Sequence, residues 1–171
     1  MLHWIIERKL RSAEREIGVS FDYVRHILKT STRAFFKFMK IIPLSSYRRA
    51  CPIDAIHVAR LVALQHEDCG PCVQIEVHAA KKDGVQTQII KAALANQPEG
   101  LPLPLPEVYH FAQAVVQDRP DLDERREAVR AHLSEAALVE LAMAIASSRF
   151  FPVTKRALGF AQSCSLVKVE V

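Results

Sequence analysis

Ile53-Asp54-Ala55-Ile56-His57-Val58-Ala59-Arg60-Leu61-Val62-Ala63-Leu64-Gln65 is apolar on nearly every side of a helical wheel. A surface helix carries one apolar stripe and one polar face, whereas a segment apolar almost all round belongs in the middle of a folded molecule. Residues 53 to 65 therefore read as a buried central helix. Along it, Asp54, His57, Leu61 and Leu64 line up at spacings of three and four, which is one face of the cylinder.

Working outward, His66 to Asp68 is a short interruption before Cys69-Gly70-Pro71-Cys72, which opens a further helix ending at Gly84. Thr87 to about Asn96 reads as the next helix. Four prolines and a glycine between Gln97 and Pro106 mark a surface loop, because proline supplies no donor to a helix interior. Beyond it, helices are expected over Glu107 to Val116, Asp123 to His132 and Ser134 to about Arg149. Ser134 caps the last of these, and Pro152 is expected to begin another short helix.

On the N-terminal side, residues 2 to 17 read as a helix stopped by Gly18, and Ser20 is placed to cap one continuous helix from Phe21 to about Lys40, ended by Pro43. The final six residues, Leu166 to Val171, alternate as a strand does. With five glycines in 171 residues and few alternating runs, the expected fold class is all-α. The division is a basic helical arm over residues 1–50 packed on a helical domain over 51–171.

Half of the residues are apolar, enough for a core without a disulfide framework. The four cysteines are not the dense set of a small secreted domain, and a reducing, cytoplasmic setting is expected. The N-terminus has charges where a signal peptide needs its apolar stretch, and no stretch reads as long enough to span a membrane. Residues 1–50 hold eleven Lys/Arg against four Asp/Glu, and residues 51–171 hold twelve against fifteen. Since the charges of the front are interleaved with apolar residues at helical spacing, they read as a solvated face, with neither nucleic acid nor membrane as partner; the competing reading sends the basic helices, with Trp4, Phe35, Phe36 and Phe38, to a membrane or nucleic acid.

The chemistry concentrates at Cys69 and Cys72. Two cysteines three apart at a helix start can reach disulfide distance, and first-turn N–H groups favour a thiolate. Pro71 removes only a donor that has no intrahelical partner there. Glu76 falls one turn below Cys72, while His78 points elsewhere and reads as exposed. An ionised Glu76 alone raises the neighbouring thiol's pKa, so a second titrating group is needed. His57 on the buried helix is the candidate base, acting directly or through water, with Asp54 orienting its ring, pairing with Arg60 or answering the N-terminal helix dipole. Cys51 and Cys164 read as packing residues.

The run from His57 to about Ala95 spaces His57, eleven residues, Cys69-Gly-Pro-Cys72, three residues and Glu76, followed by Ala79-Ala80 and Asp83-Gly84-Val85. It resembles the alkylhydroperoxidase D / carboxymuconolactone decarboxylase family. In the peroxidase branch the same spacing carries Glu at the first position and His at the last. Here His57 stands in the Glu position and Glu76 in the His position. The resemblance implies an alkylhydroperoxidase D-like helical domain with extra N-terminal helices, acting as a thiol-dependent hydroperoxide reductase. Cys72 is then the peroxide-attacking thiolate, an exposed Cys69 the resolving cysteine, and His57 with Glu76 the acid–base couple. It further implies a dithiol reductant, either lipoyl-bearing or thioredoxin-like, and a homo-oligomer, with no cofactor.

The thioredoxin fold, which also uses Cys-Gly-Pro-Cys, is excluded because nothing before Cys69 reads as a strand. A metal site on Cys69, Cys72 and His57, His66 or His78 lacks a second Cys-x-x-Cys, so none is expected. Lactone decarboxylation is the weaker relative, since that branch lacks the cysteine pair. The alternative of a different class is a non-catalytic helical oligomeric module that senses redox state or binds a partner.

Overall fold

The computed structural model describes residues 2–161, and every described element is helical. The arm comprises α1 (Leu2–Ile17), α2 (Asp22–Thr30), α3 (Thr32–Met39) and α4 (Ile41–Ser45). The remainder comprises α5 (Ile53–His66), α6 (Gly70–Lys82), α7 (Thr87–Leu94), a 3-10 turn (Pro98–Gly100), α8 (Leu105–Gln117), α9 (Leu122–Arg130) and α10 (Glu135–Ala157). Cys164 and the alternating C-terminal run lie outside the described residues.

The central helix is where its composition puts it. Of the fourteen residues of α5, nine are buried, and α6, α7, α8 and α10 pack around it. Leu61 and Leu64 of α5, Val77 of α6, Ile90 of α7, Val108 and Phe111 of α8 and Leu141 and Ile145 of α10 belong to one continuous core. A second, smaller cluster holds the arm together, with Val24, Leu28 and Phe35 buried against Ile6, Leu10 and Tyr23. Phe38 joins arm to core through ring contacts with Phe150 and Phe151 of α10 at 5.5 and 5.8 Å.

Three boundaries differ from the sequence reading. The expected helix from Phe21 to Lys40 breaks at Ser31, whose backbone is extended and whose hydroxyl accepts the N–H of Ala34. A serine that can cap the next helix offers the chain a turn in exchange for one continuous cylinder. Pro43 does not end a helix but sits inside the first turn of α4, where its missing N–H has no intrahelical partner to lose.

Pro152 likewise fails to start a helix and lies inside α10. Its ring is buried, and the flanking Phe150 and Phe151 pack on Phe38, so tertiary packing overrides the local preference to break. One consequence corrects a further expectation. Because α10 continues through Pro152 for 23 residues, it is by length and composition apolar enough to cross a bilayer, with half of that apolar window buried inside the fold.

The helix over Ile53 to Gln65 and the helix opening at Cys69-Gly-Pro-Cys72 run antiparallel as α5 and α6, joined by a turn of three residues. Asp68 in that turn has φ +50°, a left-handed conformation that Asp tolerates through local hydrogen bonding. Gly84, with φ +86°, closes the other end of α6. Seen from solvent, the α5–α6 hairpin has sulfur at its closed end and its polar groups along the seam.

A buried His–Glu–Arg cluster behind a disulfide

At the closed end of the hairpin Cys69 is the N-cap residue of α6 and Cys72 lies in its first turn, with Pro71 between them. The two sulfurs are bonded to each other, and the Cα atoms stand 5.2 Å apart, inside the ordinary range for a disulfide. The first helical bond, Val73 N–H to Cys69 O at 2.9 Å, starts the helix at the sulfur pair. First-turn amides of a helix have no intrahelical acceptor and favour negative charge beside them. The spacing read from the sequence thus brings both cysteines together.

The turn that presents them is clamped. Glu67 is buried, and its carboxylate accepts from Arg149 Nε at 2.6 Å and from Arg156 Nη2 at 2.8 Å, both on α10. Burial pushes the Glu67 carboxyl up, but the two guanidinium groups outweigh it and hold the pKa below the ordinary value. Both cysteines belong to the core cluster, Cys69 only 2% exposed and Cys72 9%. The expectation of an exposed Cys69 is therefore corrected: Cys69 forms part of the floor of an open groove of about 730 Å³, bordered by Gln65, Asp68, Val73, Lys91 and Leu94.

One turn further along α6 is Glu76, 1% exposed, whose side chain crosses to α5. Glu76 Oε1 lies 2.6 Å from His57 Nδ1, and Glu76 Oε2 lies 2.9 Å from Arg60 Nη2. The other ring nitrogen, His57 Nε2, is 3.1 Å from Asp83 Oδ2 at the end of α6. His57 and Glu76 thus meet across the helix pair as one bonded couple. Both ring contacts are hydrogen bonds only if a proton beyond the one on neutral imidazole is present, on the ring or on a carboxyl.

Several details of the expected site change. Both His57 nitrogens are engaged by carboxylates, Glu76 at Nδ1 and Asp83 at Nε2, so the ring has no nitrogen left over for a thiol, and Glu76 is the cluster member that shares α6 with Cys72. Asp54 does not orient the ring. It sits in the first turn of α5, where a helix N-terminus accommodates a carboxylate, and the orienting residues are Glu76 and Asp83. Arg60, read only as a partner for Asp54, instead holds Glu76. His78 is not simply exposed: it is half-buried, 3.3 Å from Glu16 of α1.

Asp83 was the missed member of the cluster. It falls seven residues after Glu76, two helical turns along the same face, and that spacing is the signal available in the sequence. Together with Ser46, Arg48, Ile53, Ile56 and Arg60, His57 and Asp83 line a cleft of about 280 Å³ at the open end of the hairpin. Cys69 and the His57–Asp83 end of the cluster thus border different openings, and Glu76 is buried in the hairpin seam. Among the described residues, no three His, Cys, Asp or Glu side chains converge as ligands on one point.

The remaining described thiol is inert by comparison. Cys51 is buried, and burial followed by the nearby Glu140 charge pushes its pKa up to about 12. Its placement agrees with a packing role. No family model, curated protein or solved structure matches the chain.

Proposed function

We propose that this chain is a thiol-dependent oxidoreductase, and specifically a hydroperoxide reductase of the alkylhydroperoxidase D type, working in the cytoplasm as a homo-oligomer. The observation that carries the reading is the Cys69–Cys72 disulfide at the head of α6 with Glu76 one turn further along that helix, bonded across the hairpin to His57 and Arg60 of α5. A structural disulfide needs no such cluster, and a buried ion cluster is costly to maintain for stability alone.

In the reduced protein, Glu76 draws the proton of Cys72 into the cluster, where His57 and Arg60 stabilise the result. The Cys72 thiolate attacks the distal oxygen of a hydroperoxide; the O–O bond breaks, the alcohol leaves with a proton from the cluster, and Cys72 becomes a sulfenic acid. The Cys69 sulfur then displaces hydroxide from that sulfenic acid, which leaves as water, and the disulfide forms. An external dithiol, lipoyl-bearing or thioredoxin-like, returns two electrons and two protons by thiol–disulfide exchange. The groove floored by Cys69 is where that dithiol approaches.

A second reading has its own support. With Cys69 2% and Cys72 9% exposed and their turn clamped to α10, the disulfide suits a protein that registers oxidation and does not turn over. Steady-state consumption of hydrogen peroxide and cumene hydroperoxide with dihydrolipoamide or a thioredoxin as donor separates the two. Continuous turnover is the expected result. A single stoichiometric oxidation that stops with every donor assigns the chain to redox sensing.

A further inference from the structure

The sequence of the arm is a mixture of charges, but the fold sorts them. The four acidic side chains of residues 1–50 are all engaged: Glu7, Glu14 and Asp22 converge on the guanidinium of Arg25, and Glu16 reaches His78 of α6. Arg25 is the arm's inward-facing cation. On the outer surface, Arg8, Arg11 and Arg15 of α1 and Arg33 and Lys37 of α3 are exposed, and among the described residues none of them forms an ion pair. The exposed cations are left without acidic partners of their own, because the acids beside them, Glu14 next to Arg11 and Arg15 included, are paired with Arg25 or His78.

Apolar side chains share that surface. Trp4, Arg8, Arg11 and Arg15 follow one another at steps of four, three and four, so they run down one face of α1. Trp4 is 64% exposed, and Leu2 and Ile5 beside it are exposed as well. The Arg8 guanidinium sits over the indole at 5.8 Å. A bond of 2.6 Å between His3 Nε2 and Thr32 Oγ1 brings the start of α1 beside the start of α3, whose Phe36 is also exposed.

We propose that the arm is a membrane-surface anchor: α1 lies in the headgroup region of an anionic bilayer, with Leu2, Trp4 and Ile5 inserted and Arg8, Arg11 and Arg15 on the lipid phosphates. The combination selects this occupant. Cations on a helix whose apolar tip carries tryptophan and aliphatic residues are matched by the layered chemistry of a bilayer interface. A nucleic acid duplex engages the cations and leaves Leu2 and Ile5 in water. The anchor makes no use of α10 and does not depend on the thiol chemistry.

Trp4 is the chain's one tryptophan, so its emission reports the event directly. The full chain is mixed with vesicles of phosphatidylcholine alone and of phosphatidylcholine with phosphatidylserine. Co-sedimentation with the anionic vesicles only, a blue shift of the Trp4 emission and release by salt are expected. Arg8→Ala and Arg11→Ala each weaken binding by about fivefold, and Trp4→Ala weakens it with the charge untouched. Absence of both sedimentation and emission shift at low salt overturns the proposal, as does salt-dependent binding to duplex DNA without binding to vesicles. These outcomes rest on the wild-type chain and stand whether or not a variant folds.

Discussion

Glu76 and Glu140 are buried to a similar degree, 1% and 3% exposed, in two regions of the molecule that treat a carboxylate differently. In the α5–α6 seam, Glu76 is held by side chains that can themselves gain or lose a proton or carry charge: His57 and Arg60. At the joint between α10 and the chain entering α5, Glu140 accepts the backbone N–H groups of Arg49, Ala50 and Cys51, at 2.8 to 3.1 Å. Backbone donors neither titrate nor move during a reaction. A buried glutamate is therefore a hinge of structure in one place and a candidate for chemistry in the other, and its partners make the distinction.

The sharpest way to test that contrast is at the sulfur. Cys72→Ser is expected to abolish peroxide consumption, and Cys69→Ser to leave a Cys72 sulfenic acid that a dimedone-type reagent traps. Activity in both variants equal to wild type removes the pair from the mechanism. Next in size is Glu76→Gln, which keeps shape and burial but withdraws the charge from the cluster. About a 100-fold loss of turnover is expected, in the range of general acid–base catalysis, with a displaced pH profile of Cys72 alkylation. An unchanged profile returns Glu76 to the same structural category as Glu140.

The reciprocal experiment is Glu140→Ala, which strands three backbone donors at a buried joint. A loss of about 3 kcal/mol in urea unfolding is expected, while the alkylation profile of Cys72 in the folded variant stays where it was. Acid gives a second route to the same comparison. For Glu140, burial pushes the carboxyl up, but the backbone N–H groups of Cys51, Ala50 and Arg49 hold it below its ordinary 4.5; Glu67 is also lowered, burial being outweighed by Arg156 and Arg149. A group whose pKa is depressed by folding stabilises the fold fully above its unfolded value and loses that contribution as pH falls through the folded one. Stability is thus expected to fall below about pH 4.5, and Glu140→Gln to flatten that fall. A pH-independent urea midpoint between neutrality and pH 3 contradicts it. Smallest of all, His78→Ala breaks only a half-exposed contact with Glu16 and is expected to cost about 0.5 kcal/mol or less.

Much of this was legible in residue order. Helix α5 announces itself because its apolar residues leave no polar face, and the cysteines meet because three residues at a helix start span a short distance. His57 and Glu76 meet because an antiparallel hairpin with a three-residue turn leaves little freedom in its register. The errors have a common origin. Ser31, Pro43 and Pro152 were read by local preference, and at Ser31 a side-chain cap, at Pro152 the packing of Phe150 and Phe151 on Phe38, decided otherwise. Exposure of Cys69 was what the family resemblance implied, and nothing adjacent in sequence signals that its side chain belongs to the core cluster.

Amino-acid order by itself determined the all-helical class, the central place of α5 and the pairing of the two sulfurs, since each follows from periodicity or from separations of a few residues. Only the tertiary structure decided which carboxylate meets which donor: Glu140 on residues 49–51, Glu67 on α10, Asp83 and Glu76 on the two sides of His57, and the arm's acids on Arg25 and His78. Those choices depend on how helices far apart in the chain are brought face to face, and the partner that lies nearest in space fixes the charge, burial and reach of each group.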